Sequence, residues 1–542
     1  MKKIRIFLLF FIMTLLISSC EKNFDPKIYG FLSTANYPKT EADYEALMMD
    51  CYLPFLGNWN YSLSTANQYG FYIIQGVLRL FDDPSDYCAP WLIRAWGGSW
   101  IKLSQANYAD CILYPRTGGG DDTPNFEKVK DITRMTEIIG VLQNATILSD
   151  EKKSNFVGEA RLLRGLTMYY LLHIYGPVPV IIDPTLVSDE NAEENMVRPT
   201  LEQMAGWIKD DFEYAAANMS NTAPKGRYTS DYAKFCLMRH CLNEGSYMTG
   251  YYDRAIELFG ELSNSGYGLF TKDGADAYAN QFKMANKFNN EVIMALSTSK
   301  AGDGGGKDGN FFPVSMYVIP NDASAYADVA NTIPTPFVWQ GSGWGQCFNV
   351  APAYYDAYEA GDTRRNVILT SYVVNDANRT VITRDDIGVK WSGFLINKYP
   401  PEIASPFQPT DFPLARWADV LLMYAEAVAR KTQAVPTGDA LQGVNDVRAR
   451  AGLPPLSGAA IASYDGFMDA LLIERGHEMI YEGCRKIDLI RFNKYRHNCT
   501  IIKGVAPTNQ YMPLPDYAVQ QAASYGKTLE QYYERPDYAS DN

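Results

Sequence analysis

His477-Glu478 is the nearest approach in this chain to a zinc-protease pair, because His-Glu-x-x-His would set two imidazoles one helical turn apart. Position 481 is Tyr, and the whole chain holds 4 His. A histidine metal site therefore has little to draw on; His477 reads as a packed side chain, and no metal or other cofactor is expected. Glu474, Glu478 and Glu482 recur every four residues, with Arg475, Arg485, Asp488 and Arg491 close by. Glycoside hydrolases use two carboxyl groups roughly 5–9.5 Å apart, so this ridge is the leading candidate for bond cleavage. The interleaved arginines hold carboxylates ionised and leave no ready proton donor, so the ridge reads instead as an ion-paired structural face. A glycine-rich run at 302–308 lacks both ends of a phosphate loop: Ala301 replaces the first glycine and Asp308 the hydroxyl residue. It reads as a surface loop. No Gly-x-Ser-x-Gly occurs either. No enzymatic activity is expected.

Aromatic rings are the chemistry that remains. The chain holds 38 Tyr, 25 Phe and 9 Trp, and seven of the Trp fall in two stretches of weak periodicity, 57–123 and 301–411. Sugars have apolar C–H faces and polar rims; Trp and Tyr cover the faces while Asn, Asp and Arg take the hydroxyls. Each aromatic contact contributes about 0.5–1.5 kcal/mol beyond area burial, so a few give millimolar to micromolar affinity. Trp91, Trp96, Trp100, Phe312, Tyr317, Trp339 and Trp344 are the candidate ligand-binding residues, with Trp96 and Trp339 the leading platforms. The competing reading makes these rings a core that pins long loops where helices are absent.

Elements must position those loops, and the clear periodicity is helical. Apolar residues recur at steps of three and four over 126–148 and over 159–175, where Gly176-Pro177 breaks the run. Thr200 with Gln203 predicts a capping box opening a helix to Asn218. Helices at 231–249 and 252–264, separated by Gly250 and Tyr251, match the tetratricopeptide plan of antiparallel pairs. A further pair covers 414–430, with Leu414, Trp417, Leu421, Tyr424 and Val428 as its stripe, and 438–451. The expected fold is mainly α: a tetratricopeptide-like scaffold of helical pairs, long irregular ligand-binding loops and minor β structure.

At the N-terminus Lys2, Lys3 and Arg5 precede an apolar run, 6–17, too short to span a membrane. Ser18 and Ser19 lead into Cys20. Residues 1–19 read as a signal peptide, Cys20 as the lipidated residue and 20–35 as lipid attachment and tether. Cleavage removes three cations and no acid, moving the net charge from −13 to −16. Nothing positive remains to neutralise nucleic acid, and no nucleic-acid partner is expected. The other eight Cys show no CxxC spacing and read as mostly free, buried thiols.

Taken together, Cys20, EARLLRGLTMYYLLHIYGPVPVI (159–181), RWADVLLMYAEAVAR (416–430), GVNDVRARAGLP (443–454), ERGHEMIYEGCRKIDLIRF (474–492) and YMPLPDYAV (511–519) resemble the SusD/RagB family of outer-membrane nutrient-binding lipoproteins. The chain departs from the family at Pro177, where Asp is frequent, and in lacking Asn-Pro after Pro515. The resemblance implies a single SusD-like domain over 36–542, with an N-terminal half at 36–270 and a C-terminal half at 271–542. It also implies cell-surface attachment to the outer membrane through the lipid anchor, a SusC-like TonB-dependent transporter as partner, and an oligosaccharide or, alternatively, a peptide as ligand. Pockets differ between family members, so the ring positions rest on the aromatic argument alone.

Overall fold

The computed structural model describes residues 37–55, 71, 76–89, 98–108, 111, 125–189, 191, 196–298, 318–320, 322–326, 335–336, 349–391, 393–403, 408–536 and 538. They divide into two units between Leu47 and Met48. In the first, the Asp43 carboxylate accepts the amides of Lys39 and Thr40. All that follows concerns the second.

A run of helices builds its frame: α1 (Lys128–Gln143), α2 (Asp150–Tyr175), α3 (Leu201–Asn218), α4 (Ser230–Glu244) and α5 (Tyr251–Ser263), each packed on the next. Local chemistry fixes their starts. Ser149 caps α2, Thr229 caps α4, and Thr200 with Gln203 makes the expected capping box on α3. Over 156–175 every α2 residue except Arg161 is buried, as expected of a helix packed on all sides. Gly165 lets α3 approach, since a Cβ there would lie 2.7 Å from the Phe212 ring. Beside it Arg164 forks onto both oxygens of Asp211, each at 2.8 Å, a bidentate pair that fixes the crossing.

The stack continues in space but not in sequence. Next to α5 lies α6 (Trp417–Thr432), with α7 (Asp439–Arg450) and α8 (Tyr464–Glu478) packed on it, followed by α9 (Arg485–Arg491) and α10 (Asp516–Ser524). Residues 264–416 are thus an insertion between two neighbouring helices. Among the described residues they carry β1 (Val292–Leu296), β2 (Ala323–Tyr326), β3 (Thr335–Pro336), β4 (Asn349–Val350), β5 (Ile368–Leu369), β6 (Tyr372–Val374), β7 (Val381–Ile382), β8 (Phe394–Ile396) and β9 (Phe412–Arg416). β1 pairs antiparallel with β9, Val292 opposite Arg416 and Leu296 opposite Phe412, so the two ends of the excursion close into a neck. Inside it the orders are β3-β2-β6-β7 and β4-β8-β5.

The structure moves two sequence-derived boundaries. Leu414 lies in β9, not on α6, which begins at Trp417; a three-residue step before a helix looks like one more turn of its stripe. Glu482 lies beyond α8, which ends at Glu478, with Tyr481 at φ 61° and Gly483 at φ 75° turning the chain away.

Candidate functional site

Of the seven candidate rings, Trp91, Trp96, Phe312, Tyr317, Trp339 and Trp344 lie outside the described residues, as does Cys20. Trp100 falls on the short helix Gly98–Ser104, and its side chain also lies outside the description. Two other rings of the first stretch, Tyr87 and Tyr108, are fully buried; for them the core reading holds.

The points where the two Trp-bearing stretches attach are bonded to each other. The Ala89 amide donates to the Asn349 carbonyl and the Ala351 amide to the Tyr87 carbonyl, both at 2.7 Å, framing an antiparallel bridge between Cys88 and Val350. Ala89 immediately precedes the segment bearing Trp91 and Trp96; Asn349 immediately follows the one bearing Trp339 and Trp344. Gly393 makes this joint possible. A Cβ there would sit 2.5 Å from the Val350 carbonyl oxygen and 3.1 Å from the Ala89 Cβ.

The joint is anchored from the C-terminal side. Residues Leu78–Asp82 form a buried π-helical turn. The Asp82 carboxylate accepts the amides of Gly483 (2.7 Å) and Arg485 (3.1 Å), yet its complete burial raises its pKa to about 7 against those donors. Arg485 forks onto Asp86 with two contacts of 2.9 Å. Lys503 donates to the carbonyls of Asp83 and Ser85. The Tyr495 hydroxyl donates to the Pro84 carbonyl and so accepts from Tyr108, each at 3.0 Å. One side chain thereby holds both ends of 84–108.

The carboxylate ridge is buried in ion pairs. Glu478 contacts Arg450 (2.5 Å), Arg416 (2.9 Å) and Arg364 (3.5 Å), while Glu474 pairs with Arg364 and Arg448 and Glu482 with Arg416 and Lys398. Glu291 joins Arg416 and Arg450, and Asp362 joins Arg364. All ten of these side chains are at most 5% exposed. Burial works to raise the Glu478 pKa, but its three arginines outweigh it and hold the carboxyl at about 2. Such a group cannot donate a proton near neutrality. His477 stacks on Tyr358 at 3.7 Å, its Nδ1 3.6 Å from Asp362, and burial lowers its pKa. It is a packed imidazole, and among the described residues no His, Cys, Asp and Glu gather as a metal cluster.

Residues 375–541 match the family described as "SusD family", and residues 125–239 the one described as "Starch-binding associating with outer membrane"; together the matches cover more than half of the chain. The chain belongs to the SusD/RagB family. A SusD-like protein of Bacteroides ovatus is 25% identical over 387 residues, 67% of this chain and 64% of that protein, so the chain spans just under two thirds of that relative. SusD-like protein P38 of Formosa agariphila is 26% identical over 380 residues, 67% of this chain and 71% of its own length. Among solved structures, a SusD superfamily protein from Parabacteroides distasonis superposes with TM-score 0.69 at 18% identity, covering 92% of this chain and 100% of that one. "Surface glycan-binding protein A from Bacteroides thetaiotaomicron in complex with laminarihexaose" gives 0.64 at 18% identity, covering 91% and 100%. A "Laminarin binding SusD-like protein" gives 0.66 at 20%, covering 92% and 100%.

The SusD/RagB matches fall on α1–α4 and on α6–α10, and neither reaches 57–123 or 301–348. Family membership thus fixes the scaffold and leaves the ring-bearing loops to be argued from this chain. In the SusD/RagB scaffold the joint depends on Asp82, Asp86, Gly393, Arg485, Tyr495 and Lys503, none of which the aromatic argument found. Their signal in the sequence is faint: Asp-Asp-Pro-Ser-Asp is acidic and yet sits in an apolar surround. Seven cysteines, Cys51, Cys88, Cys111, Cys236, Cys241, Cys484 and Cys499, are free and buried; Cys347 lies outside the described residues. Among the described residues no helix is long and apolar enough to cross a membrane.

Proposed function

We propose that this protein is a surface glycan-binding lipoprotein that captures oligosaccharides on the rings of its two long stretches and passes them, unaltered, to a SusC-like TonB-dependent transporter of the outer membrane. Cys20 carries the lipid anchor, residues 1–19 are its signal, and Trp96 and Trp339 are the main platforms, with Trp91, Trp100, Phe312, Tyr317 and Trp344 beside them. The observation that carries the reading is the backbone joint Ala89–Asn349, which supports a common origin for the two sets of rings. Relatives titled for laminarin, laminarihexaose and surface glycan binding support the ligand class. Modest affinity suits delivery, because a slow off-rate would hold the cargo.

Calorimetry over a panel of oligosaccharides tests the reading. We expect binding by at least one, lost in Trp96→Ala and in Trp339→Ala; unchanged affinity in both removes the site. Chromatography of the same sugars after incubation should return them intact, and shortened products would instead favour a hydrolase. Cys20→Ser should release a folded protein from the membrane fraction.

A further inference from the structure

A cavity opens on the helical frame. It has a volume of about 540 Å³ and lies among α1, the extended segment after α2, the start of α3, and α10. Its described lining comes from the helical frame and from the segments that flank its helices. Two helices face it with the same spacing of residue types: Gln203 and Trp207 on α3, and Tyr517 and Gln521 on α10. Each pair is four residues apart, so each helix presents one aromatic ring and one carboxamide along one ridge.

The state of these groups points to a ligand. Trp207 is half-buried, lines the cavity and has neither ring partner nor hydrogen-bond partner among the described residues. Trp417, by contrast, stacks between Phe259 and Tyr267. Gln203 spends its oxygen on the Thr200 amide, leaving its NH2 group uncommitted. The exposed Gln521 accepts from the Ser524 hydroxyl through its backbone carbonyl, while its carboxamide makes no bond among the described residues. Tyr517 is oriented by donating to Glu127 at 2.5 Å, which turns its ring edge towards Phe126 at 6.4 Å. Val180, on the cavity wall, adds a backbone N–H that donates to nothing among the described residues.

Flat ring faces bordered by unengaged amide donors and acceptors fit one ligand class well. A pyranose offers an apolar C–H face for the indole and vicinal hydroxyls for a carboxamide, which can donate and accept at once. We infer that this cavity is a second oligosaccharide-binding cleft, with Trp207 as platform and Gln203 and Gln521 as hydroxyl partners. The inference shares the ligand class of the proposed function but none of its residues.

Fluorine NMR on the 5-fluorotryptophan-labelled protein tests it, with the Trp207 resonance assigned by its disappearance in Trp207→Phe. Laminarihexaose, maltohexaose and cellohexaose are titrated to about 10 mM, in excess of a millimolar dissociation constant. The expected result is a saturable shift of the Trp207 signal with at least one sugar, retained in the Trp96→Ala/Trp339→Ala variant. Gln521→Ala should weaken it about five-fold, the loss of one neutral hydrogen bond. A silent Trp207 signal while other indoles move overturns the second cleft and leaves the first reading standing. No movement of any indole overturns both. A Trp207 shift that vanishes in the double variant, or that follows decanoate and none of the sugars, overturns the assignment as well.

Discussion

Glu478 shows how strongly its neighbours set the state of one carboxyl. Replacing it by Gln leaves Arg364, Arg416 and Arg450 short of a buried counter-charge, and removal of one partner from such a cluster costs about 3–5 kcal/mol. Urea unfolding of Glu478→Gln at pH 7 should show a loss of that order. The acid limb follows from the sign of the shift. A carboxyl held at about 2 when folded and near its ordinary 4.5 when unfolded stabilises the protein above pH 4.5 and loses that contribution as pH falls from 4.5 to 2. The wild type should therefore lose stability across that window more steeply than Glu478→Gln. Lys486 has the opposite character. Burial lowers its pKa to about 7, and its Nζ lies over the rings of Tyr108, Tyr495 and Tyr511, at 4.5–5.9 Å. The unfolded chain binds this proton up to about pH 10.5 and the folded one only to about 7, so stability should rise between those values. Lys486→Met should add about 2 kcal/mol at pH 7 and flatten that rise; equal slopes in wild type and variant would refute the assignment. Spacing alone reads Glu474, Glu478 and Glu482 as an ion-paired face. The interleaved arginines are not its partners, since Arg475 pairs with Asp419 and Asp488, Arg485 with Asp86 and Arg491 with Glu426 and Asp488. The cations come from 364, 398, 416, 448 and 450, and partners set by tertiary contact leave no local trace.

At the scale of elements, the joint between the two ring-bearing stretches depends on an absent side chain. Gly393→Val would push a Cβ into the Val350 carbonyl, a backbone atom that cannot rotate away. Overpacking of this kind costs about 1–3 kcal/mol, and calorimetry should show oligosaccharide affinity falling with it. Gly260→Ala is the matching control. It lies within α5 with nothing inside 4 Å of the added methyl, so it should raise stability by about 0.5–1 kcal/mol and leave affinity unchanged. Helices with strong local signals were legible: the Thr200–Gln203 box opens α3 as the two residue types require. The strands were not. β4, β5 and β8 are two or three residues long, too short for alternation to register, and each pairs with a partner remote in sequence. The same holds for the cleft at Trp207, whose glutamines sit at helical spacing but whose far wall comes from α10, some 300 residues later.

For the molecule as a whole, the insertion is bound into the frame electrically as well as by its neck. The buried network sets Glu291, Asp362, Glu474, Glu478 and Glu482 against Arg364, Lys398, Arg416, Arg448 and Arg450, five charges of each sign. Replacing 299–410 by a short turn between β1 and β9 would remove Asp362, Arg364 and Lys398, leaving four acids and three bases. Circular dichroism should show such a chain losing helicity at pH 7, with partial recovery on adding Glu482→Gln; full helicity without it would contradict the coupling. The mainly helical frame was legible from periodicity, but its continuity was not. Nothing in a linear reading says that α5 and α6, with 153 residues between them, are neighbours.

That adjacency governs how the chain reaches its native state. Closing a loop costs only logarithmically more as it lengthens, about 0.6 kcal/mol per doubling, so so large an excursion is thermodynamically tolerable. Kinetics respond differently, since contacts between remote residues must wait for a long search. Until β9 finds β1, the flank of α5 that receives α6 stays bare, with Phe259 lacking the Tyr424 ring it stacks on at 3.7 Å. The interval between emergence of α5 and capture of α6 is then the period in which this chain is most open to aggregation, and where a chaperone would have most to protect.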